Sequence, residues 1–201
     1  SLQSLHPGNF ALVMSTGIIS IGLRALHFDA LAHIFQLIAL AAWCVLILLS
    51  CIRVTLYGRA VLIDLLNPRM VFSYFTLVAA TNIVGLLLHS AGYPLLAIIC
   101  WATAFAAWCL LLYLAFSVLT FLSHENNVNI MHGGWLITIV ATQSLVLLGA
   151  RIAPDLGQYA SYMMVEVHML WGLGLAFYGI FVTLFCYRIF FLALKPHDIT
   201  P

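Results

Sequence analysis

Long stretches without any charged side chain are the feature that most restricts how this chain can fold. Asp, Glu, Lys and Arg are all absent from residues 1–23, 30–52, 70–124, 126–150 and 167–187. A helix needs about 20 apolar residues to cross the hydrocarbon core of a bilayer. Each stretch can therefore supply at least one crossing, and the longest can supply two if a turn divides it.

Glycine and proline mark such a turn in the middle of the longest stretch. Gly92 and Pro94 follow His89 and Ser90 there, and these residue types are typical of a break between helices. The sequence then predicts an all-α integral membrane protein, with six transmembrane helices in a single domain over residues 1–201. The helices are expected near residues 8–25, 30–54, 70–89, 95–122, 134–151 and 160–193.

The overall composition excludes several classes of protein. Apolar residues make up 65% of the chain and charged residues 6%, whereas soluble domains carry about a quarter charged residues. A net charge of +1 leaves no basic surface for nucleic acid. The five cysteines form no CxxC pair, so they are interpreted as packing residues. Membrane lipid is an expected partner, and no metal or other cofactor is expected.

Lys and Arg are distributed unequally between the two sets of connections in this topology. One set holds five of them and the other holds two: Arg53, Arg59, Arg69, Arg188 and Lys195 against Arg24 and Arg151. Short loops rich in Lys and Arg stay in the cytoplasm. The sequence therefore predicts a multi-pass protein of the inner or plasma membrane, with both termini of this segment on the cytoplasmic side.

The sequence also repeats itself in both the odd and the even spans. Residues 41–46 (AAWCVL) return 65 positions later as residues 106–111 (AAWCLL). Residues 11–19 align with residues 76–84 at the same offset, and these align in turn with residues 138–146. The repeating unit is interpreted as a helical hairpin, with hairpins near residues 8–54, 70–122 and 134–193. Parallel repeats of this kind surround an axis along the membrane normal, and equivalent residues form a ring around it.

The aligned odd spans place small or polar residues near mid-membrane depth. Two equivalent sets fall there: Thr16, Thr81 and Gln143, followed by Gly17, Asn82 and Ser144. Unsatisfied polar groups are costly in hydrocarbon, so these residues are expected to line a solute path or to join neighbouring helices. The pore hypothesis assigns the lining to Ser15, Thr16, Gly17, Thr81, Asn82, Thr142, Gln143 and Ser144. The even spans, with bulky Leu, Phe and Trp, would then form the wall that faces lipid.

The type of polar group favours an anion as the solute. Cation pathways usually carry Asp or Glu inside their spans, and Glu166 is the one candidate here. Glu166 is a candidate for binding a coupling proton or for pairing with Arg151 or Arg24 at the outer mouth, and the favoured alternative is an ordinary interfacial charge. The pore mouth is predicted at Gly8, Asn9 and Phe10. Asn9 is expected to cap the first helix, whose N-terminus would attract anions.

A resemblance to a known family is carried mainly by the N-terminal residues. Residues 6–19 (HPGNFALVMSTGII) resemble the opening signature of the tellurite-resistance/C4-dicarboxylate transporter family. That family includes malate permeases, sulfite exporters and slow-type anion channels. Residues 171–174 (WGLG) with Tyr178, and the tail at residues 195–201, are similar to it as well.

The resemblance implies ten helices in five hairpins around a central pore, assembled as a trimer, with this chain as the first six helices. It implies a channel or transporter, and not an enzyme, for anions of the dicarboxylate, sulfite, tellurite, nitrate or chloride class. The Phe that gates the pore in relatives lies on the ninth helix, and no residue here takes that role. Relatives often carry a proline kink in the fifth helix, where this chain has residues 141–143 (ATQ).

Two alternatives from other classes stay open at this point. In the first, histidines on the outer side hold haem in a membrane redox subunit. These are His27, His33, His89 and His168. Such a site needs histidines at matched depth on facing helices. In the second, the chain is a helical scaffold without a solute path, and changing Thr16, Thr81 or Gln143 alters stability but no flux.

Overall fold

The computed structural model of the protein describes residues 5–68, 70–122 and 133–191. The α-helices in these ranges are α1 (Ala11–Ala25), α2 (Asp29–Leu56), α3 (Gly58–Leu65), α4 (Phe75–Ser90), α5 (Pro94–Ser117), α6 (Ile137–Ile152) and α7 (Ala160–Phe191). Arg69 and Lys195, which contribute to the predicted orientation, lie outside the described residues, as does the tail at 195–201.

Helices long and apolar enough to cross a membrane account for most of the described chain. They occupy Pro7–Ala25, Asp29–Leu56, Val71–Ser90, Pro94–Phe121 and Gly134–Phe191. The last of these stretches contains both α6 and α7, which Gly157 separates with a non-helical backbone (φ 55°, ψ −117°). The prediction of an all-helical membrane protein is confirmed for the described residues. The sequence did not predict α3, which lies where only a connection was expected.

Each of the helices α1, α4 and α6 begins with a 3-10 turn. These turns are Pro7–Phe10, Val71–Tyr74 and Gly133–Leu136. Pro7 presets the backbone of the first turn, and His6 caps it by accepting a hydrogen bond from the Gly8 N–H on Nδ1 at 3.0 Å. The prediction that Asn9 caps the first helix is wrong, because the turn begins earlier and Asn9 lies inside it.

One residue with a positive φ lies in each of three turns between packed helices. His27 (φ 62°) separates α1 from α2, Gly92 (φ 88°) separates α4 from α5, and Gly157 (φ 55°) separates α6 from α7. Such a residue lets the chain turn sharply after a helix, and glycine adopts the conformation without steric strain. From His27 to Gly92 and from Gly92 to Gly157 the spacing is 65 positions, the same offset that relates the AAWC segments.

Helix α4 lies at the centre of the structure. It packs against α1, α2, α5 and α6, and all its residues from 78 to 85 are buried. The other helices expose many large apolar side chains, for example Leu37 of α2, Leu95 of α5 and Met169 of α7. In a membrane protein such surfaces meet lipid. Because α4 contacts both α1 and α6, the three helices form a row, which we call the inner row.

Candidate functional site

A buried polar contact joins the inner-row helices α4 and α6. The amide nitrogen Nδ2 of Asn82 donates a hydrogen bond to the Ser144 hydroxyl oxygen at 2.9 Å, and that hydroxyl donates to the Ala141 carbonyl at 2.7 Å. Asn82 has no exposed surface, and Ser144 is buried. Because the Ser144 proton is already committed, Asn82 must act as the donor. Its carbonyl oxygen Oδ1 has no hydrogen-bond partner among the described residues.

Two tryptophans hold threonines of the inner row by equivalent hydrogen bonds. Trp43 of α2 donates from Nε1 to the Thr81 hydroxyl at 3.2 Å, and Trp108 of α5 donates in the same way to Thr142 at 3.0 Å. Each threonine hydroxyl donates in turn, at 2.8 Å, to the carbonyl four residues earlier in its own helix. A hydroxyl has one proton, so neither Thr81 nor Thr142 has a donor left for a solute.

The predicted lining residue Gln143 marks a close approach of α6 and α7. Its Nε2 donates to the Trp171 carbonyl oxygen at 3.4 Å. A Cβ on Gly174 would overlap the Gln143 amide, so a larger residue there would displace that side chain. Both Trp171 and Gly174 belong to the WGLG motif, which therefore takes part in helix packing.

The predicted lining residues of α1 take different positions. Gly17 is buried against α4, where a Cβ would collide with Ile83. Thr16 is half-buried and Ser15 is exposed, and both hydroxyls donate to the Leu12 carbonyl, at 2.7 and 3.0 Å. The predicted lining residues are thus spread over several faces of the inner row, and the direct hydrogen bond between two of them is that of Asn82 with Ser144.

The predicted pore mouth lies beside a buried cation. Gly8 is half-buried, Asn9 is exposed, and Phe10 is buried at the start of α1. A cavity of about 120 Å³ is lined by Phe10 and by Arg53 of α2, among others. Arg53 forms an ion pair with Asp64 at 2.5 Å, and this pair holds α3 against the end of α2. Of the predicted mouth residues, Phe10 therefore shares a cavity with a positive charge that Asp64 balances.

A second arginine, Arg24, connects α1, α2 and α4 near the C-terminal ends of α1 and α4. The Arg24 guanidinium donates to the Ser90 hydroxyl at 2.7 Å and to the Gln36 amide oxygen at 2.6 Å. Both acceptors are neutral, and Arg24 forms no ion pair with a described carboxylate. Among the described residues, Glu166 makes no ion pair with Arg24. Glu166 is half-buried and lies within electrostatic range of Cys109 on α5.

Two histidines of the redox alternative, His89 and His168, make separate contacts. His89 Nε2 lies 2.7 Å from the Asp155 carboxylate, which links the end of α4 to the segment before α7. His168 Nδ1 lies 2.6 Å from the Met164 carbonyl in its own helix. Within the described ranges, no three His, Cys, Asp or Glu side chains come together as a metal site. These contacts do not favour the haem hypothesis.

Sequence reasoning missed the part that tryptophans play in this region. Trp43 and Trp108 stood out in the repeated AAWC segments, but bulky residues of the even spans were assigned to the lipid-facing wall. The two AAWC segments were the signal, because Trp43 and Trp108 recur in them and each donates to a threonine of the inner row. The role of Arg24 in joining α1, α2 and α4 had no signal in the local sequence.

The long apolar helices and the buried polar contacts between them define a multi-pass helical membrane protein. Comparison of the sequence with protein families then assigns it more closely. The model of the voltage-dependent anion channel family matches residues 4–201, and the chain belongs to this family. Its members are channels or transporters, and the suspected resemblance is confirmed. No curated protein and no solved structure matches the chain.

Proposed function

We propose that this chain is part of a membrane channel or transporter that passes small anions along the inner row. Membership of the voltage-dependent anion channel family over residues 4–201 carries the proposal. The substrates belong to the dicarboxylate, sulfite, tellurite, nitrate or chloride class, and the chain performs no catalysis. Selectivity then depends on charge and on the width of the path.

The charge of the inner row supports an anion. Helices α1, α4 and α6 contain no Asp or Glu, but they contain Arg24 and Arg151 near their C-terminal ends. Positive charges at the mouth of a low-dielectric path raise the local concentration of anions and lower that of cations. Arg24 is bonded to neutral partners, so its charge is available for this attraction.

The spacing of the turns supports a path around a central axis. Helices α1 and α2, α4 and α5, and α6 and α7 pack as three successive pairs. Each pair is joined through a positive-φ residue at an interval of 65 positions. We propose that the pairs are parallel repeats around an axis along the membrane normal. The resemblance to the family supports a homotrimer in the inner or plasma membrane as part of this proposal. The Lys and Arg bias of the loops supports cytoplasmic termini of the segment.

Electrical recording from the full-length protein tests the proposal. We expect a current across planar bilayers whose reversal potential follows asymmetric chloride, nitrate, malate or sulfite gradients. A coupled transporter would give no such current but would take up labelled malate or sulfite into vesicles. A reversal potential that follows the cation gradient, or the absence of both current and uptake, would reject an anion pathway.

A further inference from the structure

The short helix α3 has two faces with opposite surroundings. Arg59, Leu62 and Ile63 are exposed, and so is Leu66 directly after the helix. These positions are three or four residues apart, so they lie on one side of the helix. Leu62 is 56% exposed and Ile63 is 68% exposed. We call these four residues the outer face of α3.

The opposite face of α3 holds the helix against the rest of the protein. Asp64 forms the ion pair with Arg53 of α2. Val61 lines the cavity beside Arg53, and Leu65 packs against a hydrophobic core cluster. The acidic residue of α3 therefore faces the protein, and large apolar residues face outward. A helix on the surface of a water-soluble protein has the reverse arrangement.

The depth of α3 follows from its contact with α2. Residues 30–52 of α2 carry no charge and rise about 34 Å at 1.5 Å per residue, close to the thickness of the hydrocarbon core, about 30 Å. Arg53 directly follows this stretch, and Asp64 of α3 contacts Arg53. Helix α3 therefore lies level with the boundary between the hydrocarbon core and the headgroups.

The exposed apolar surface of α2 continues along the chain onto α3. Val54 and Leu56, in the last turn of α2, are exposed, and α2 is long and apolar enough to cross a membrane. Tyr57, between the two helices, is exposed as well. Tyrosine is enriched where a membrane protein passes from hydrocarbon to water. The same lipid that surrounds the end of α2 is thus in reach of the outer face.

Arg59 gives the outer face a positive charge. It forms no ion pair with a described carboxylate, and Asp64 is directed to Arg53. An arginine can lay its apolar stem along hydrocarbon while the guanidinium reaches the headgroup layer, where it binds phosphate. A basic residue at the edge of an apolar face therefore matches a phospholipid, which is apolar at one end and negative at the other.

We propose that α3 lies in the interface of the phospholipid bilayer and that its outer face binds anionic phospholipid. Leu62, Ile63 and Leu66 contact the acyl chains, and Arg59 binds the phosphate of the headgroup. The ion pair of Asp64 with Arg53 fixes which face α3 turns to the lipid. This contact with lipid is independent of the solute that the protein transports.

Spin labelling of the full-length protein identifies what covers the outer face. With the native cysteines replaced, a nitroxide is attached to Ile63→Cys in vesicles of phosphatidylcholine and phosphatidylglycerol. Leu37→Cys, exposed on α2, is the reference for lipid, and Gln158→Cys, exposed before α7, is the reference for water. Oxygen concentrates in lipid and a nickel chelate stays in water. We expect the label at Ile63→Cys to collide more with oxygen than with the chelate, as at Leu37→Cys.

Two other results of the labelling would overturn the proposal. More frequent collision with the nickel chelate, as at Gln158→Cys, would place the outer face in water. Rare collision with both reagents would mean that a second copy or another segment of the chain covers it. If Ile63→Cys does not fold, Leu62→Cys on the same face is measured in the same way.

Exchange of the charge at Arg59 tests the headgroup contact. Native mass spectrometry measures how strongly the protein from these vesicles retains phosphatidylglycerol. We expect Arg59→Gln to retain it about fivefold less strongly than the natural protein, because one basic residue near an anionic leaflet contributes about this factor. Arg59→Lys keeps the charge and should retain the lipid. Equal retention by Arg59→Gln and the natural protein would overturn the proposed binding of anionic phospholipid.

Discussion

The Nδ2 atom of Asn82 lies 2.9 Å from the Ser144 hydroxyl oxygen, and this hydrogen bond joins α4 to α6 at a position without solvent. Removing one partner does not cost the same free energy of unfolding as removing the other. Ser144 has a second bond, to the Ala141 carbonyl, whereas the Asn82 amide depends on Ser144. Removal of one partner is costly when it leaves the other buried and unpaired.

Ser144→Ala should therefore destabilise the protein more than Asn82→Leu. The serine change leaves a buried amide without its partner and should cost about 1–3 kcal/mol. The leucine change also removes the unpaired Oδ1 atom, so it should cost less than about 1 kcal/mol. Thermal unfolding of the full-length protein in detergent measures both. The opposite order would show that Asn82 has a further partner in the folded protein.

Thr142→Val should destabilise the protein by about 1–2 kcal/mol, because it leaves the Trp108 indole N–H buried without an acceptor. Thr103→Val is the matched control. Thr103 makes the same bond to the carbonyl four residues earlier but is exposed on α5. Thr103→Val should change the free energy of unfolding by no more than about 0.5 kcal/mol. Equal losses in thermal stability would mean that the Trp108 bond contributes nothing.

Gly92→Ala should destabilise the protein by about 1 kcal/mol, because the turn after α4 requires a φ of 88°. A Cβ at Gly92 meets no other atom within 4 Å, so the backbone conformation is the whole effect. Gly172→Ala is the control, since Gly172 is equally uncrowded but helical. It should be neutral or stabilise α7 by up to about 1 kcal/mol. Both unfolding temperatures are measured in one detergent.

Arg24→Gln should reduce the anion current about threefold in dilute salt, if anions pass as proposed. The change removes a positive charge at the end of the inner row that neutral partners leave unbalanced. Arg24→Lys keeps the charge and should keep most of the current. The difference should vanish in concentrated salt, where the screening length falls to about 3 Å at 1 M. A loss of anion current that persists in concentrated salt would indicate a structural role for Arg24.

The sequence determined the membrane class, the limits of the long helices and the family. Charge-free stretches report on the solvent that surrounds each segment, and Gly and Pro mark where helices end, so both features act locally. The positions of Gly92 and Pro94 were therefore sufficient to divide the longest stretch into α4 and α5. The start of α1 was harder to predict, because His6 and Asn9 are both able to cap a helix.

Only the tertiary structure decided which way each polar residue faces. Thr81, Asn82 and Ile83 are adjacent in sequence, yet they contact α2, α6 and α1. Residues 78–85 of α4 are all buried, so the hydrophobic periodicity of the sequence does not distinguish these directions. The direction is decided by the neighbouring helices, because each buried polar group must find a partner there. That requirement assigned Thr81 and Thr142 to tryptophans of α2 and α5, and Asn82 to Ser144 of α6.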